Sequence, residues 1–450
     1  MVQQRDNGRS REEERRRRQR REERRRRRRR ARLCRLAVLT VCLLILLITV
    51  PYLIKNAVAG TLFVPRTLVS LVETDSRAEE PAAAADDDKA EVWTCQALSP
   101  WTYTTEETAP QGDIVDYHTE NYSYEQMCRD LYFLQERYRD ILTVQVFGQS
   151  LDNRDLIDAV VGSPDADKDI IVQYSMHARE HLITNVGMAQ LEDLLKNYQT
   201  GSFGGEALSA ILSKVRLHII PMMNPDGVSI SQSGFDAIRD ESLKAGLQEV
   251  YRTDTELGKA SPDINEYTAT WKANARSVDL NRNFATKGWT TEMGTQQPSC
   301  SRYPGTSANS EPEVQALINL TEAVNCVAQL AYHCHGRLVF CDYGMAAEDP
   351  ALYETDMALA ELISRQTAVN GADGYTVTST VQDEQNPGGC SDYYMQILHI
   401  PAVTVEVGDL YKADGSYNDP PLSVDQVDKM LAENLTVLPA VAQMFAAQEG

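Results

Sequence analysis

The sequence contains no C-x-x-C pair, no zinc-finger spacing and no internal repeat, and beyond its N-terminal segment it has little basic charge. The missing cysteine patterns exclude a thiolate-based zinc module, and the missing repeat excludes a solenoid. Residues 1–35 hold 18 of the 44 basic and six of the 65 acidic residues, which leaves 26 basic and 59 acidic residues in 36–450. That acidic main part would repel nucleic-acid phosphates. With 42% apolar and 24% charged residues, the composition also excludes disorder, collagen and an isolated coiled coil.

The N-terminal part predicts a membrane anchor. Residues 36–54 carry no charge, and as a helix they would be roughly 28 Å long, enough to cross a bilayer. We interpret the Arg-rich residues 1–35 as a cytoplasmic, lipid-facing tail rather than a nucleic-acid tail, which gives a single-pass type II protein with an extracytoplasmic main part. Residues 55–112 predict an acidic stalk. The sequence Ala57-Val58-Ala59 resembles a signal-peptidase site, so release after Ala59 is an alternative to retention.

Residues 113–450 predict one catalytic domain of the α/β class. A helix is expected after Ser123, and a second one over about 180–196. Apolar strands are expected in TVQVFGQS, LIDAVVGS, DIIVQYSM, RLHIIPMM, VAQLAYH, RLVFCDY and AVTVEVG. Buried strands that alternate with helices indicate a three-layer sandwich with a mixed, largely parallel central sheet, preceded by the one transmembrane helix. Such sheets bind ligands at the carboxyl ends of their strands. Residues 231–270 are a polar insertion without an assigned structure.

The segment Met176-His177-Ala178-Arg179-Glu180-His181 has the spacing of metal ligands. It leaves a predicted strand and enters a predicted helix. In one scheme, His177 and His181 bind zinc and Glu180 is the base, as in the inverted zincin pattern. In the other, His177 and Glu180 are ligands, and a distant histidine completes a His₂Glu site with an open position for water.

Residues farther along the chain favour the second scheme. His333 ends a predicted strand at the edge of the sheet where His177 is expected. Glu406 lies inside an apolar strand, where a carboxylate is either a structural ion-pair partner or a general base with a raised pKa. Asn281 and Arg282 offer an amide and a guanidinium that suit a substrate carboxylate.

Several motifs resemble the zinc metallocarboxypeptidase family, the carboxypeptidase A-like enzymes, over about residues 113–448. The motifs are HxxE at His177, PMMNPDG at 221–227, WKANARSVDLNRNF at 271–284, YPGTSANSEPE at 303–313, YHCHG at 332–336, GGCSDYY at 388–394 and TVEVG at 404–408. The WKAN…VDLNRNF and SANSEPE segments are more similar to the bacterial branch, which includes peptidases that act on γ-D-glutamyl-diaminopimelate bonds.

The resemblance implies a role for each matching residue. His177, Glu180 and His333 would bind one zinc ion, and Glu406 would be the general base. Asn281 and Arg282 would hold the terminal carboxylate of a peptide substrate, and Arg154 would line the next subsite inward. The histidines at positions 181 and 335 would be structural or would support the ligands.

The chain departs from the family pattern at three positions. Lys272 stands where the family has its oxyanion arginine, so either Lys272 or Arg276 would stabilise the oxyanion. The position of the family's mobile tyrosine falls near Glu384. Ser391 lies at the expected base of the specificity pocket, where it is neither an acid nor a large apolar residue.

We therefore expect a membrane-anchored, extracytoplasmic zinc carboxypeptidase that hydrolyses the C-terminal peptide bond. Its substrates would be peptidoglycan stem peptides or ordinary polypeptide tails with a free terminal carboxylate, and nucleic acid is not an expected partner. Two alternatives stay open at this point: a catalytically inactive, anchored peptide-binding homologue, and a zinc endopeptidase of the inverted zincin type.

Overall fold

The computed structural model describes residues 98–369, 371–380 and 387–448. The predicted cytoplasmic tail, the membrane span at 36–54 and most of the stalk lie outside these residues. Within the part of the chain that is described, no helix combines the length and the apolar character needed to cross a bilayer. The described residues belong to one compact unit, Glu91–Gly450.

The secondary structure follows the alternation of strands and helices that the sequence predicts. The strands are β1 (Ser99–Pro100), β2 (Leu142–Gln149), β3 (Asp155–Val161), β4 (Lys168–Gln173), β5 (Ser202–Phe203), β6 (Glu206–Ala207), β7 (Val215–Ile220), β8 (Cys326–Cys334), β9 (Leu338–Cys341), β10 (Thr376–Ser379) and β11 (Ala402–Val407). The helices are α1 (Tyr124–Arg137), α2 (Leu182–Asn197), α3 (Leu208–Ile211), α4 (Pro225–Ser233), α5 (Glu241–Glu256), α6 (Ile264–Ala269), α7 (Pro312–Ala323), α8 (Pro350–Gln366), α9 (Cys390–Tyr393), α10 (Val427–Asn434) and α11 (Val437–Ala446).

The main sheet is mixed and has its parallel pairings in the middle. Its strand order is β1-β2-β3-β7-β4-β8-β11-β9-β10. Strands β7, β4, β8 and β11 run parallel to one another, and β9 pairs antiparallel with β11. Because β4, β8 and β11 are adjacent and parallel, their carboxyl ends meet at one edge of the sheet. The predicted α/β fold with a mixed sheet is confirmed.

Helices cover both faces of the sheet. Along β4, Ile170 and Val172 pack into the largest core cluster, together with α1, α2, α3, α10 and α11, whereas Ile171 packs into a second cluster with α7 and α9. This alternation follows from the two-residue period of a strand. All three side chains are fully buried, so the middle of the sheet has no solvent-facing side. The result is the three-layer arrangement expected from the sequence.

The N-cap residue of helix α1 is the one that the sequence predicts. Helix α1 begins after Ser123, whose side-chain oxygen accepts a hydrogen bond from the backbone N–H of Gln126 at 3.1 Å. The predicted second helix is preceded by a short 3-10 turn, Ala178–Glu180, before α2 begins at Leu182.

Two segments differ from expectation or extend it. Residues 98–112 were predicted to belong to the stalk, but β1 pairs with β2, and Trp101 is buried in the main core, where it stacks on Tyr103. An aromatic pair of this kind buries enough apolar area to order the segment.

The unassigned insertion 231–270 forms helical turns, which pack a third core cluster against Trp271 and Ala273. This cluster supports the loop that leads toward the site described below.

Candidate metal centre

Three side chains from two neighbouring strand ends meet in one buried group. His177 lies four residues beyond the end of β4, and Glu180 lies in the 3-10 turn that follows. His333 is near the end of β8, which pairs with β4 in parallel register up to Gln173 and Ala331. The topology therefore brings these side chains to the same edge of the sheet, as predicted.

The donor atoms of this group face one another. The Nδ1 atoms of His177 and His333 are 2.9 Å apart. Each also approaches one oxygen of Glu180, at 2.8 Å from His177 and 2.9 Å from His333. The three ligand atoms lie within 4.8 Å of one another, and the three residues are buried. Two imidazole nitrogens and a carboxylate, all directed at one point, fit the His₂Glu set of a catalytic zinc site.

The electrostatics of the group suit a cation. Burial lowers the pKa of His177, which keeps its imidazole neutral near pH 7. Burial alone would raise the pKa of Glu180, but its contacts with His177 and His333 hold that pKa well below the usual range. Zinc binds neutral imidazoles and ionised carboxylates, so His177 and Glu180 are in the protonation states that the metal requires.

Asp279 supports the group from behind, and the sequence analysis gave it no role. Its Oδ1 lies 3.3 Å from Nε2 of His177, the ring nitrogen that faces away from the other ligands. Burial alone would raise the pKa of this fully buried carboxyl, but Lys272 and His177 hold it well below the usual range. A carboxylate on the outer nitrogen of a ligating histidine fixes the ring and its tautomer. No local pattern in the sequence marks this contact, because Asp279 and His177 are about a hundred positions apart.

Glu406 lies beside the metal group on the next strand. Strand β11 pairs with β8 in parallel, and Glu406 is in register with His333. Burial raises the pKa of Glu406 to about 7; His333 and Lys272 act against this increase, and Glu180 adds to it. A carboxyl with a pKa near neutral can take and return a proton under ordinary conditions.

A cavity of about 500 Å³ opens next to Glu406. It is lined by Asn281, Arg282, Phe340, Tyr343, Thr378, Ser379, Thr380, Asp392, Thr404 and Glu406. The backbone N–H of Cys390 donates to Oδ1 of Asn281 at 2.8 Å, which leaves the amide NH₂ group for the cavity. The backbone of Gly388 approaches Arg282 so closely, at a φ of 95°, that a side chain there would collide with the Arg282 carbonyl oxygen. The cavity thus has two side chains with nitrogen donors, Asn281 and Arg282, and two carboxyl side chains, Asp392 and Glu406, of which Glu406 lies beside the metal-binding group.

A family model described as zinc carboxypeptidase matches residues 127–421, which is more than half of the chain. The chain belongs to the zinc carboxypeptidase family. It is therefore a zinc peptide hydrolase, and the family resemblance and the zinc cofactor predicted from the sequence are confirmed. Members of the family act on peptides with a C-terminal carboxylate, which agrees with the donors in the cavity.

The individual relatives compared next have low sequence identity to this chain. The chain is 28% identical over 321 residues to "Gamma-D-glutamyl-L-diamino acid endopeptidase 1" of Lysinibacillus sphaericus, which covers 71% of each protein. It is 24% identical over 286 residues to carboxypeptidase B of Astacus astacus, covering 62% of this chain and 82% of that one. Among solved structures, carboxypeptidase A of Helicoverpa armigera has a TM-score of 0.55 at 18% identity, covering 77% of this chain and 78% of that one. At 18% identity, the similarity to the Helicoverpa armigera structure shows a shared fold and nothing more.

The two basic residues considered for oxyanion stabilisation lie in different places. Nζ of Lys272 is 3.8 Å from Oδ2 of Asp279, and burial lowers the pKa of Lys272. Arg276 is half-exposed and forms an ion pair with Glu311 at 3.1 Å. Of the two, Lys272 is the cation beside the metal group, as expected if it takes the position of the arginine found in other zinc carboxypeptidases.

Arg154 differs from its predicted position on a substrate subsite. It is 4% exposed. Its NH1 group donates to Asp152 at 2.7 Å and to Asp226 at 2.8 Å, and its NH2 group donates to the carbonyl of Ala237. Two buried carboxylates require such a partner, because an unpaired buried charge is costly. In this arrangement Arg154 ties the turn after β2 to the start of α4, and it is not among the residues that line the cavity.

Ser391 lies among other hydroxyl groups near the cavity. Its Oγ is 3.0 Å from Oγ1 of Thr404, which also receives a hydrogen bond from the hydroxyl of Tyr343 at 3.1 Å. Both Thr404 and Tyr343 line the cavity, so this side of it is polar. Glu384, which the alignment of motifs placed at the mobile tyrosine, lies outside the described residues.

The two other histidines of the metal-binding motifs, His181 and His335, lie outside the metal-binding group. His181 is buried, and burial lowers its pKa to about 4. The grouped ligand atoms come from His177, Glu180 and His333, as in the His₂Glu scheme and not as in the inverted zincin scheme. His335 is half-buried beyond the end of β8, and its ring meets the ring of Tyr417 edge to face at 4.9 Å.

Proposed function

We propose that this protein is a membrane-anchored, extracytoplasmic zinc carboxypeptidase that releases the last residue of peptidoglycan stem peptides. The catalytic part of this proposal rests on one observation: the metal-binding group of His177, Glu180 and His333 adjoins a cavity of about 500 Å³. Asn281, Arg282 and Glu406 line that cavity. The metal-binding group suits hydrolysis of a peptide bond. The donors in the cavity would select a substrate with a free C-terminal carboxylate.

Each residue has a defined task in this proposal. Zinc, when bound, acidifies water and polarises the scissile carbonyl. Glu406 accepts the proton of the attacking water and passes it to the leaving amine, which its raised pKa allows. Arg282 and the NH₂ group of Asn281 hold the terminal carboxylate. The ammonium of Lys272 lies on the metal side and offsets the negative charge that develops on the carbonyl oxygen.

The choice of peptidoglycan rests on the relatives and on the cavity. The relative from Lysinibacillus sphaericus is named for the γ-D-glutamyl-L-diamino acid bond. The side chain of a diamino acid ends in a polar amine, which can hydrogen-bond to the hydroxyl groups of Thr378, Thr380 and Thr404; these line the cavity together with Asp392 and the rings of Phe340 and Tyr343. The predicted type II anchor at residues 36–54 would place the site outside the cytoplasm, where this substrate occurs.

Purified residues 98–450 should test the catalytic part. We expect one zinc ion per chain, release of the terminal residue that stops when a chelator removes zinc, and no release from the matching C-terminal amide. Equal cleavage of acid and amide would reject the exopeptidase assignment. Zinc binding without any turnover would instead support the anchored binding module. Loss of zinc in His181→Ala but not in His333→Ala would support the inverted zincin.

Polypeptide tails are a second candidate substrate, because the chain is also 24% identical to carboxypeptidase B of Astacus astacus. Parallel digestion of muropeptides and of a peptide library varied at its last residue separates the two candidates. Preferred release of a diamino acid from muropeptides supports the proposal, and faster release from the library refutes it.

The predicted membrane anchor needs its own test. Cell fractionation with protease accessibility should find the full chain in membranes, with residues 113–450 accessible from outside.

A further inference from the structure

The loop that follows Arg282 folds back onto the main chain of that residue. Trp289 lies seven positions after Arg282, and its indole N–H donates to the backbone carbonyl oxygen of Arg282 at 2.8 Å. Two backbone hydrogen bonds fold the loop, from Thr286 to Phe284 at 2.8 Å and from Trp289 to Thr286 at 3.2 Å. The indole is half-buried and does not line the cavity. Trp289 therefore reaches the cavity donor Arg282 through its main chain.

The carbonyl oxygen of Arg282 needs such a donor because it ends a helical turn. Leu280–Arg282 is a single 3-10 turn, and the backbone N–H of Asn283 donates back to Leu280 at 3.1 Å. The last carbonyl oxygens of a helical turn have no partner within the turn, so a side chain or water must supply the donor. The indole of Trp289 carries a donor and no acceptor on a rigid ring. The hydrogen bond therefore fixes the peptide plane that follows Arg282.

The backbone of Gly388 approaches the same carbonyl oxygen. A Cβ atom at Gly388 would lie 2.5 Å from it, so only glycine fits there. Gly388 is itself held by the loop, because its N–H donates to the hydroxyl of Thr286 at 2.7 Å and its carbonyl accepts the N–H of Phe284 at 3.1 Å. Contacts from the indole and from the Gly388 backbone thus restrict the main chain at Arg282.

The second cavity donor, Asn281, is fixed by a different contact. Its Oδ1 accepts the backbone N–H of Cys390 at 2.8 Å, and its carbonyl accepts a hydrogen bond from NH1 of Arg282 at 2.6 Å. Two donors can grip one carboxylate together only at a suitable separation and orientation. Because the Arg282 side chain is long, a rotation of its peptide group would move the guanidinium relative to the Asn281 amide.

We propose that Trp289 is a positioning residue for the terminal-carboxylate site: its indole N–H holds the Arg282 main chain and thereby sets the guanidinium relative to the Asn281 amide. The proposal rests on the proposed function, which assigns these two donors to a free C-terminus. Its consequence is selective. Loss of the indole N–H should weaken the binding of a peptide acid and leave the binding of the matching C-terminal amide almost unchanged, because the amide has no carboxylate to grip.

The test measures binding to the zinc-loaded full chain in the Glu406→Gln background, which slows turnover of the bound peptide. The probes are L-Ala-γ-D-Glu-L-Lys and the same peptide with a C-terminal amide, and calorimetry gives both dissociation constants. With Trp289 present, the acid should bind about tenfold or more tightly than the amide. Trp289→Phe keeps an aromatic ring without the N–H, and this preference should fall roughly three- to tenfold, as expected for one lost hydrogen bond.

Trp101→Phe is the matched control, because Trp101 packs in a different core cluster from Leu280 and Phe284, the neighbours of the two donors. It should keep the full preference for the acid. Zinc content and thermal unfolding are measured for each variant, and Trp289→Leu is read in the same way if the phenylalanine variant does not fold.

Two results overturn the positioning role while the proposed function stands. One is an unchanged preference for the acid without the indole. The other is an equal loss of affinity for acid and amide, which would show general damage to the cavity. If the acid binds no more tightly than the amide even with Trp289 present, the selection of a free C-terminus fails, and the role of Trp289 fails with it.

Discussion

Replacement of Asp279 by asparagine should weaken zinc binding without disturbing the fold. The carboxylate is fully buried, with Oδ1 at 3.3 Å from His177 and Oδ2 at 3.8 Å from Lys272. Its Oδ2 also accepts the backbone N–H of Arg302 at 3.0 Å, a bond that the amide oxygen of asparagine can keep. Asparagine has nearly the same shape but lacks the charge that orients the imidazole. Loss of such a support typically lowers metal affinity by about 10- to 100-fold, which corresponds to about 1.4–2.8 kcal/mol.

The affinity is measured by competition for zinc with a chromophoric chelator at constant pH and ionic strength. Asp254→Asn is the matched control, because Asp254 is an equally buried carboxylate that instead bonds the hydroxyl groups of Tyr267 and Ser299, both at 2.7 Å. Its zinc affinity should equal that of the unmodified protein. If Asp279→Asn binds zinc as tightly as the unmodified protein, the supporting role assigned to Asp279 is wrong.

A second variant separates two causes of the loss. The change to asparagine also leaves the Lys272 ammonium without its carboxylate neighbour, and a repelled or displaced ammonium could itself reduce zinc affinity. Adding Lys272→Met to Asp279→Asn removes that ammonium. We expect zinc affinity to stay low in the double variant, because the imidazole of His177 is still not oriented. Full recovery would show that the charge of Lys272, and not the orientation of His177, caused the loss.

Three further predictions concern catalysis and stability. Glu406→Gln should keep zinc but lower kcat by about 10²- to 10⁴-fold, as expected for loss of a general base; zinc analysis and steady-state kinetics check this. Arg282→Gln should raise KM and lower kcat/KM more than kcat, since it chiefly removes substrate binding, whereas the exposed Arg365→Gln should change neither. His218 lies 2.7 Å from Asp158 and 3.1 Å from Asp169, and although burial lowers its pKa, the carboxylates raise it to about 9. Because this pKa is above the unfolded value of about 6.5, its stabilisation is complete below that pH and is lost as the pH rises toward 9, by at most about 3 kcal/mol; urea unfolding should show this slope, and His218→Gln should flatten it.

Each of these predictions has a contrary outcome. Near-normal turnover in Glu406→Gln would place the base elsewhere. An unchanged KM in Arg282→Gln would mean that another group holds the terminal carboxylate. A stability that is flat between pH 6.5 and 9 in the unmodified protein would show that the buried histidine is not charged at the lower pH, despite its two carboxylate neighbours.

The convergence of the ligands could be predicted from the sequence because each lies at or near the end of a strand. Apolar runs located β4, β8 and β11, and the rule for parallel sheets brings their carboxyl ends together. His177, Glu180 and His333 are grouped in the structure as this reasoning requires. The roles of Glu406 and Arg282 stay predictions, although both line the expected cavity.

Residues whose partners are distant in sequence could not be assigned in this way. Arg154 binds Asp226, 72 positions later, and Arg276 binds Glu311, 35 positions later. An exposed and a buried arginine look identical in a sequence, and only the fold shows which carboxylates surround them. The same reason explains why Asp279 was overlooked: its function depends on the orientation of a histidine imidazole about a hundred positions earlier, and no local pattern reports that.

The residues of the site come from two kinds of structure: rigid strand ends and one long loop. Two of the zinc ligands and Glu406 sit on or directly after strands, whereas Lys272, Asp279, Asn281 and Arg282 all come from a single segment, 271–283. That segment is fixed by the side chain of Asn274, whose NH₂ group donates to Glu311 at 2.7 Å and whose Oδ1 accepts the backbone N–H groups of Arg276 and Val278. The residues proposed for oxyanion stabilisation, for orientation of His177 and for binding of the terminal carboxylate are therefore held on one segment. Thr378, Ser379, Thr380 and Asp392 line the cavity from outside this segment, so substitutions at these positions would change the cavity wall without replacing a metal-binding residue or a proposed carboxylate donor.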